Sequence, residues 1–186
     1  MSERPDLSPD ARTWLLAFAR QTIAHTVASA EKPDTSSMPE EVKALGGCFV
    51  SLHTRSGSLR GCIGTFAETQ PLWQAVQEMA VAAATRDPRF NAVTDEELGD
   101  CLIEISALTP CQPATPESIE VGRHGICVAR GFNRGVLLPQ VATDHGWDRE
   151  TFLDQTCMKA RLPFDAWRDG SVEIETFTAE VFSEPH

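Results

Sequence analysis

The stretch Gly46-Gly-Cys-Phe-Val-Ser-Leu-His-Thr-Arg-Ser-Gly-Ser-Leu-Arg-Gly-Cys-Ile-Gly64 has the pattern of a β-hairpin that places a cysteine between glycines. Residues 48 to 54 alternate apolar and polar side chains, and Ser56-Gly57 supplies the turn. The return strand carries fewer side chains than usual, because Gly61 and Gly64 have none. Because such a backbone can approach a ligand closely, we expect the chemistry of this chain to lie here.

The sequence on both sides of this hairpin predicts helices and further strands. One helix begins at Ser8-Pro9 and ends near Ala30, and a second begins at Thr69 to Pro71 and ends at Asp87-Pro88. The remaining expected elements are a helix over 148–161 and strands over 102–108, 125–129, 135–138 and 172–182, the last with a β-bulge near Thr176. This order contains no repeated strand-helix-strand unit, and it predicts an α+β fold with a mainly antiparallel sheet flanked by helices.

Length and composition limit the classes of protein to consider. The chain has 186 residues, of which 41% are hydrophobic and 23% charged, which suits one globular domain that carries at most a small lobe. Its net charge of -11, with only 16 Lys and Arg, disfavours nucleic acid and anionic membrane surfaces as partners. It shows neither a secretion signal nor an apolar run of the roughly 18 residues that a membrane span needs. We therefore expect a soluble, cytoplasmic protein.

Six cysteines stand at positions 48, 62, 101, 111, 127 and 157. Most lie in apolar strand-like or helical runs of a chain without a secretion signal, so we expect them to be reduced. Their spacing forms no Cys-x-x-Cys pair, and no histidine lies at the distance typical of a zinc finger or ribbon. The sequence thus predicts no metal site and no cofactor, although a mixed site built from distant residues stays open.

The run Leu59-Arg-Gly-Cys-Ile-Gly64 resembles the signature of the AMMECR domain, whose bacterial members are called AmmeMemoRadiSam system protein A. The resemblance extends over nearly the whole chain, because further blocks follow in the family's order: 85–90, 103–108, 124–126, 135–141 and 159–162. It implies a larger sheet-and-helix domain with a smaller α/β lobe, which we expect in the middle of the chain. It also implies Memo-type and radical SAM proteins as partners or members of a shared pathway.

Cys62 is the candidate nucleophile of this hairpin. A thiolate becomes a strong nucleophile when a nearby positive charge lowers its pKa, and Arg60 stands two residues away on the same strand face. Backbone amides left free by Gly61 and Gly64 would receive a developing oxyanion. The alternative is that Cys62 is a small buried hydrophobe, as most free cysteines are.

His124 and Glu104 are the residues that would complete a catalytic set with Cys62. His124 stands in a turn bounded by glycines and would act as the base, or it bonds a local carbonyl as an ordinary turn histidine. Glu104 is a carboxylate in an apolar strand and would orient the histidine. An ion pair with Arg60 or Arg123 would account for Glu104 equally well.

Three further residues are candidates for binding. Arg86 and Arg89 flank Asp87-Pro88 at the end of a helix, where Arg86 would stabilise the negative helix terminus and Arg89 would lie in solvent or pair with Asp87. Together with Arg60 they would instead form a clamp for a carboxylate or phosphate. His53 shares one face of its strand with Phe49 and Ser51, opposite Val50 and Leu52, and is expected to border the same pocket.

Three functions are consistent with these residues. The first is an enzyme in which Cys62 attacks a small electrophilic or anionic substrate with His124 as base. The second is a non-catalytic module that holds a small anion or a partner protein in the same groove, working with the Memo-type and radical SAM partners that the resemblance implies. The third is a redox or metal site that includes Cys62 and His124, which no spacing in the sequence supports.

Overall fold

A computed structural model describes residues 6–185, and the chain divides into two compact units. The first unit comprises the described residues up to Leu108 together with those from Glu180 onward. The second unit comprises Thr109–Ala179, so it is inserted in sequence before the last strand of the first. Within the described residues, no helix is both long enough and apolar enough to cross a membrane.

The first unit is a four-stranded sheet with helices. Its helices are α1 (Pro9–Ala28), α2 (Leu72–Thr85) and the short α3 (Asp95–Leu98), and its strands are β1 (Cys48–Thr54), β2 (Leu59–Thr65), β3 (Cys101–Leu108) and, after the second unit, β8 (Ala179–Ser183). The strand order is β2-β1-β3-β8, with β1 antiparallel to both of its neighbours. The strand β2 is therefore an edge strand.

Alternation along β1 gives this sheet two different faces. Cys48, Val50 and Leu52 are fully buried and belong to the core of the unit, which α1 and α2 complete. The alternate residues Phe49, Ser51 and His53 are partly exposed on the other face. Because one face packs against helices, polar side chains collect on the opposite face of the sheet.

The helices of the first unit begin and end where local side chains dictate. The Ser8 hydroxyl accepts a hydrogen bond from the Ala11 N–H at the start of α1, and Ser29 ends the helix in the left-handed region. At α3, Thr94 and Glu97 form a capping box, each side chain bonding the other residue's backbone N–H.

The second unit has its own sheet and its own core. Its strands are β4 (Gln112–Pro113), β5 (Gly125–Arg130), β6 (Asn133–Leu137) and β7 (Glu173–Phe177), in the order β4-β7-β5-β6, and its helices are α4 (Pro139–His145) and α5 (Arg149–Lys159). Neighbouring strands pair antiparallel. Ile126 and Val128 from β5 pack with Phe152, Leu153 and Cys157 from α5 in a buried cluster.

The predicted α+β fold with antiparallel sheets and flanking helices is confirmed, but the single strand predicted over 172–182 is wrong. β7 ends at Phe177, β8 begins at Ala179, and the two strands belong to different sheets. Between them, the Thr178 N–H donates to Thr109 Oγ1 at 2.8 Å and the Thr109 N–H donates to the Thr178 carbonyl at 2.9 Å. The change of alternation that suggested a bulge at Thr176 marks the passage of the chain from one sheet to the other.

Candidate functional site

Cys62, Ser51 and Glu104 form a row across three adjacent strands of the first unit. Ser51 on β1 is paired with Cys62 on β2 and with Glu104 on β3. Since residues paired across a sheet share a face, all three side chains lie on the face opposite the core. Cys62 and Ser51 are both partly exposed there.

The side chains of Ser51 and Cys62 touch. Ser51 Oγ lies 3.1 Å from Cys62 Sγ and donates a hydrogen bond to it. The Cys62 N–H is directed away from β1, so this is the non-hydrogen-bonded type of antiparallel pair, in which facing side chains come closest. Ser51 was not singled out from the sequence. Its place two residues before His53 in an alternating strand is the signal that would have found it.

The outer edge of β2 is held at Cys62 by two side chains that follow α2. The Asp87 carboxylate accepts the Cys62 N–H at 2.9 Å, and Arg89 Nη2 donates to the Cys62 carbonyl at 3.2 Å. These are the two backbone groups that a further strand would have bonded. Asp87 and Arg89 therefore stand in for a neighbouring strand and fix the main chain that carries the thiol.

Asp87 is the most buried charged group of this region, with a side chain only 2% exposed. It accepts four hydrogen bonds: one from the Cys62 N–H, one from the Arg89 N–H, and two from the Arg89 guanidinium at 2.7 and 3.0 Å. The hydrogen bonds from Arg89, with help from the Cys62 N–H, hold the pKa of Asp87 well below its usual range, against the opposing effect of burial. The same pairing raises the pKa of Arg89, to which the nearby Cys62 thiol adds a smaller effect. Asp87 is thus ionised at neutral pH, and its pairing with Arg89, one of the two roles that the sequence allowed for Arg89, is observed.

Gly61 and Gly64 are required by close packing on either side of Cys62. A Cβ on Gly61 would lie 2.2 Å from the Ala83 carbonyl oxygen of α2, and one on Gly64 would lie 2.2 Å from the Phe49 ring. Both distances are far inside van der Waals contact. The two glycines therefore let α2 and the Phe49 ring pack directly against the backbone of β2.

Glu104 and His53 face each other on the same sheet face. His53 Nε2 lies 3.9 Å from Glu104 Oε1, and both side chains are about one-third exposed, at 33% and 37%. They line a cavity of about 210 Å³. The ion pair predicted for Glu104 with Arg60 is wrong, because Arg60 pairs with Glu97. Arg123, the other predicted partner, pairs with Glu120 within the second unit.

The predicted three-arginine clamp is divided between two places. Arg60 is mostly buried and donates to Glu97 at 3.0 Å and to the Asn91 carbonyl at 2.9 Å. The Arg60 and Arg89 guanidinium carbons lie 5.9 and 5.5 Å from the centre of the Phe90 ring, and the three residues line a cavity of about 530 Å³. Arg86 ends α2 and lines a different cleft, beside residues of α1 and α2.

His124 belongs to the second unit, whereas Cys62 and Glu104 belong to the first. The His124 ring accepts the Glu120 backbone N–H at Nδ1, 3.1 Å away. The backbone N–H of His124 donates to the Glu120 carbonyl at 3.0 Å. Burial, and then the charge of Arg123, lowers the pKa of His124. These local bonds are those of a turn histidine. Its action as a base on Cys62 stays a prediction.

The six cysteines are thiols and form no disulfide among the described residues. Cys48, Cys101, Cys127 and Cys157 are buried, whereas Cys62 and Cys111 are partly exposed. Burial raises the pKa of the Cys101, Cys127 and Cys157 thiols. Among residues 6–185, no group of three or more His, Cys, Asp or Glu side chains is arranged to hold a metal ion.

Comparison with known proteins agrees with this fold. The sequence model of the AMMECR1 family matches residues 16–182. A protein from Methanothermobacter thermautotrophicus is 43% identical, with 96% of each chain covered, and Protein MJ0810 from Methanocaldococcus jannaschii is 40% identical over 96% of this chain and 92% of its own. The crystal structure of the uncharacterized protein PH0010 from Pyrococcus horikoshii matches with a TM-score of 0.83 at 36% identity, covering 97% of this chain and 94% of that one. The chain therefore belongs to the AMMECR1 family.

Proposed function

We propose that Cys62 is the nucleophile of a thiol-dependent reaction on a small electrophilic substrate. The observation that carries the proposal is the hydrogen bond from Ser51 Oγ to Cys62 Sγ, on a main chain that Asp87 and Arg89 fix from the other side. A hydrogen bond donated to sulfur stabilises the thiolate more than the neutral thiol. A fixed backbone also holds the sulfur in one orientation toward an incoming substrate.

In the proposed reaction, Cys62 Sγ bonds to an electrophilic carbon, such as an acyl carbon, while that carbon releases its leaving group. The thiol proton passes to a base and from there to the leaving group. Two histidines are candidates for the base. His53 lies on the same sheet face beside Glu104, which would orient its ring, and His124 is the candidate from the second unit.

Alkylation with iodoacetamide, followed by peptide mass spectrometry, tests this proposal. Cys111 is the matched internal control, because it is the other partly exposed cysteine of the described chain. We expect Cys62 to react at least about tenfold faster than Cys111 in the native protein and at the same rate as Cys111 in urea. If Cys62 reacts no faster than Cys111 in the native protein, the proposal that Cys62 is a nucleophile is wrong.

Single substitutions then assign the supporting residues. Ser51→Ala removes the hydrogen bond to sulfur, and we expect it to slow Cys62 alkylation while leaving Cys111 unchanged. His53→Gln and His124→Gln identify the base, because only the histidine that deprotonates Cys62 alters the pH dependence of its alkylation. If neither changes it, neither histidine is the base.

A second candidate is a non-catalytic module that binds a small anion or a partner protein. The observation that favours it is the pair of guanidiniums that flank Phe90 in the cavity of about 530 Å³. Arg89 Nη1 takes no part in the bonds that tie Arg89 to Asp87 and Cys62, and it would contact the anion. Memo-type and radical SAM proteins are the proposed partners. Titration with inorganic phosphate, read by NMR at Phe90 and Arg89, tests this candidate independently of the thiol.

A further inference from the structure

The cavity beside His53 and Glu104 has the size and lining of a small-molecule site. Its volume of about 210 Å³ is below the roughly 300–1,000 Å³ of pockets for drug-sized ligands, so its occupant has only a few non-hydrogen atoms. Leu102 of β3 contributes the apolar lining, and Gly57 of the β1–β2 turn adds no side chain. All of the lining residues belong to the first unit.

Glu104 is the carboxylate of this cavity that accepts no hydrogen bond from the described residues. The nearest basic side chain is His53, whose Nε2 lies 3.9 Å from Glu104 Oε1, beyond the distance of a hydrogen bond. The other carboxylate of the cavity, Glu184, is occupied, since it accepts hydrogen bonds from the Arg20 guanidinium and the Ile103 N–H. Among the residues that the structure describes, Glu104 therefore has no hydrogen-bond donor within reach, although almost two-thirds of its side chain is covered.

We infer that this cavity binds the ammonium group of a small alkyl amine, with the alkyl chain against Leu102. An ammonium donates charge-assisted hydrogen bonds of the kind that Glu104 lacks, and the short chain replaces water at the apolar wall. A neutral His53 ring offers a second acceptor for the same ammonium. A carboxylate ligand is disfavoured, because both acidic side chains of the cavity would repel it.

This inference deepens the proposed function, because it names an amine-bearing class of substrate for the sheet face that carries Cys62. Glu104 is separated from Cys62 by one residue, Ser51, across the strands. Two strand spacings of about 4.8 Å, roughly 10 Å in all, separate Glu104 from Cys62, so a substrate with its ammonium at Glu104 reaches the thiol when the rest of it extends out of the cavity toward β2. The inference rests on the proposed function only for this last step, since amine binding is measurable without turnover.

NMR titration of the full chain with n-butylammonium chloride tests the inference, read at the Leu102 methyl groups and the His53 ring. We expect saturable shifts for n-butylammonium, binding at least about tenfold weaker for n-butanol, and none for butyrate. Glu104→Gln should weaken n-butylammonium binding by at least about tenfold, whereas Glu96→Gln, which removes an equal charge from α3, should leave it unchanged. Leu102→Phe, which fills the cavity and keeps the charge, should also abolish the shift of the His53 ring.

Three results would overturn the inference: no saturable shift with n-butylammonium, equal affinity for n-butanol, or equal affinity in the Glu104→Gln and Glu96→Gln proteins. A Cys62→Ser protein separates the two proposals, because it should bind n-butylammonium as the natural chain does. If amine binding is retained while Cys62 proves unreactive, only the nucleophile fails. If Cys62 is reactive and the amine does not bind, only the ligand class fails.

Discussion

Asp87 shows how one residue of the turn after α2 determines the geometry of the candidate nucleophile. Its carboxylate joins the edge of β2 to Arg89, and its side chain is almost fully covered. A buried carboxylate is tolerated only when its hydrogen-bond acceptors are occupied, and here four donors occupy them. The position of Cys62 therefore depends on a residue 25 positions away in sequence.

The substitution Asp87→Asn should destabilise the protein by roughly 1–3 kcal/mol, because it removes a charge that four donors were arranged to receive. Chemical denaturation measures the change in unfolding free energy. Asp100→Asn is the control, since Asp100 is exposed and its partner Arg55 lies 3.9 Å away. That change should cost less than about 1 kcal/mol. Equal effects of the two substitutions would contradict the role given to Asp87.

The pH dependence of stability provides a second measure of Asp87. Its pKa is lowered in the folded protein, so its contribution is fully present above the unfolded pKa of about 3.9 and is lost as the pH falls below that value. Between neutral pH and pH of about 3, the natural chain should thus lose more stability than the Asp87→Asn chain. Urea denaturation at several pH values measures both curves. If the unfolding free energy of the two proteins falls equally with pH, the pKa of Asp87 is not lowered in the folded protein.

For single residues, the sequence predicts which face of a strand a side chain lies on better than it predicts which residue that side chain contacts. Alternation of side chains placed His53 and Glu104 correctly within their strands, because the period of a strand is a local property. The partners of Arg60 and Glu104 could not be predicted, since they depend on which turn packs beside which strand. The contribution of Asp87 was missed for the same reason: its adjacency to Arg89 is visible in sequence, but its bond to Cys62 is not.

At the scale of elements, the contact between β2 and α2 depends on a residue without a side chain. A Cβ on Gly61 would meet the Ala83 carbonyl oxygen at 2.2 Å, and that atom belongs to the backbone of a helix and cannot rotate away. The strand and the helix both contribute to the same core. Any larger residue at position 61 must therefore push β2 and α2 apart.

The substitution Gly61→Ala should destabilise the protein by about 1–3 kcal/mol, the usual cost of overpacking, and thermal or chemical denaturation measures it. Gly99→Ala is the matched control. Gly99 has helical backbone angles, and its nearest neighbour would be 3.8 Å from the added Cβ, so this change should be neutral or slightly stabilising. A Gly61→Ala protein as stable as the Gly99→Ala protein would show that β2 and α2 have room to separate.

Some of the helices and strands could be predicted from the sequence, and others could not. The hairpin and the long helices were predicted because their periodicity and end signals are local. The division between β7 and β8 was not, because a change in alternation is produced both by a bulge and by a chain that leaves one sheet for another. Distinguishing the two requires the pairing of Thr178 with Thr109, which are 69 residues apart.

At the scale of the whole molecule, each unit has a hydrophobic core built from its own residues. The cluster of the first unit draws on residues between Leu7 and Ala107, with Phe182 of β8 packed against it, and the cluster of the second draws on residues between Ile119 and Ile174. The chain enters and leaves the second unit at one place, where Thr109 and Thr178 exchange hydrogen bonds. An insertion whose ends meet in this way can be removed without stretching the remaining chain.

We therefore expect a chain in which residues 110–177 are replaced by a short glycine linker to fold and to unfold cooperatively. The same protein shows which unit provides the chemistry, because it keeps Cys62, Ser51 and His53 but lacks His124. If the first unit alone activates the thiol, the iodoacetamide reactivity of Cys62 relative to its value in urea should equal that of the full chain. A folded first unit whose Cys62 has lost that reactivity would assign the base to the second unit and favour His124. A chain that does not unfold cooperatively would show that the first core needs the second unit for stability.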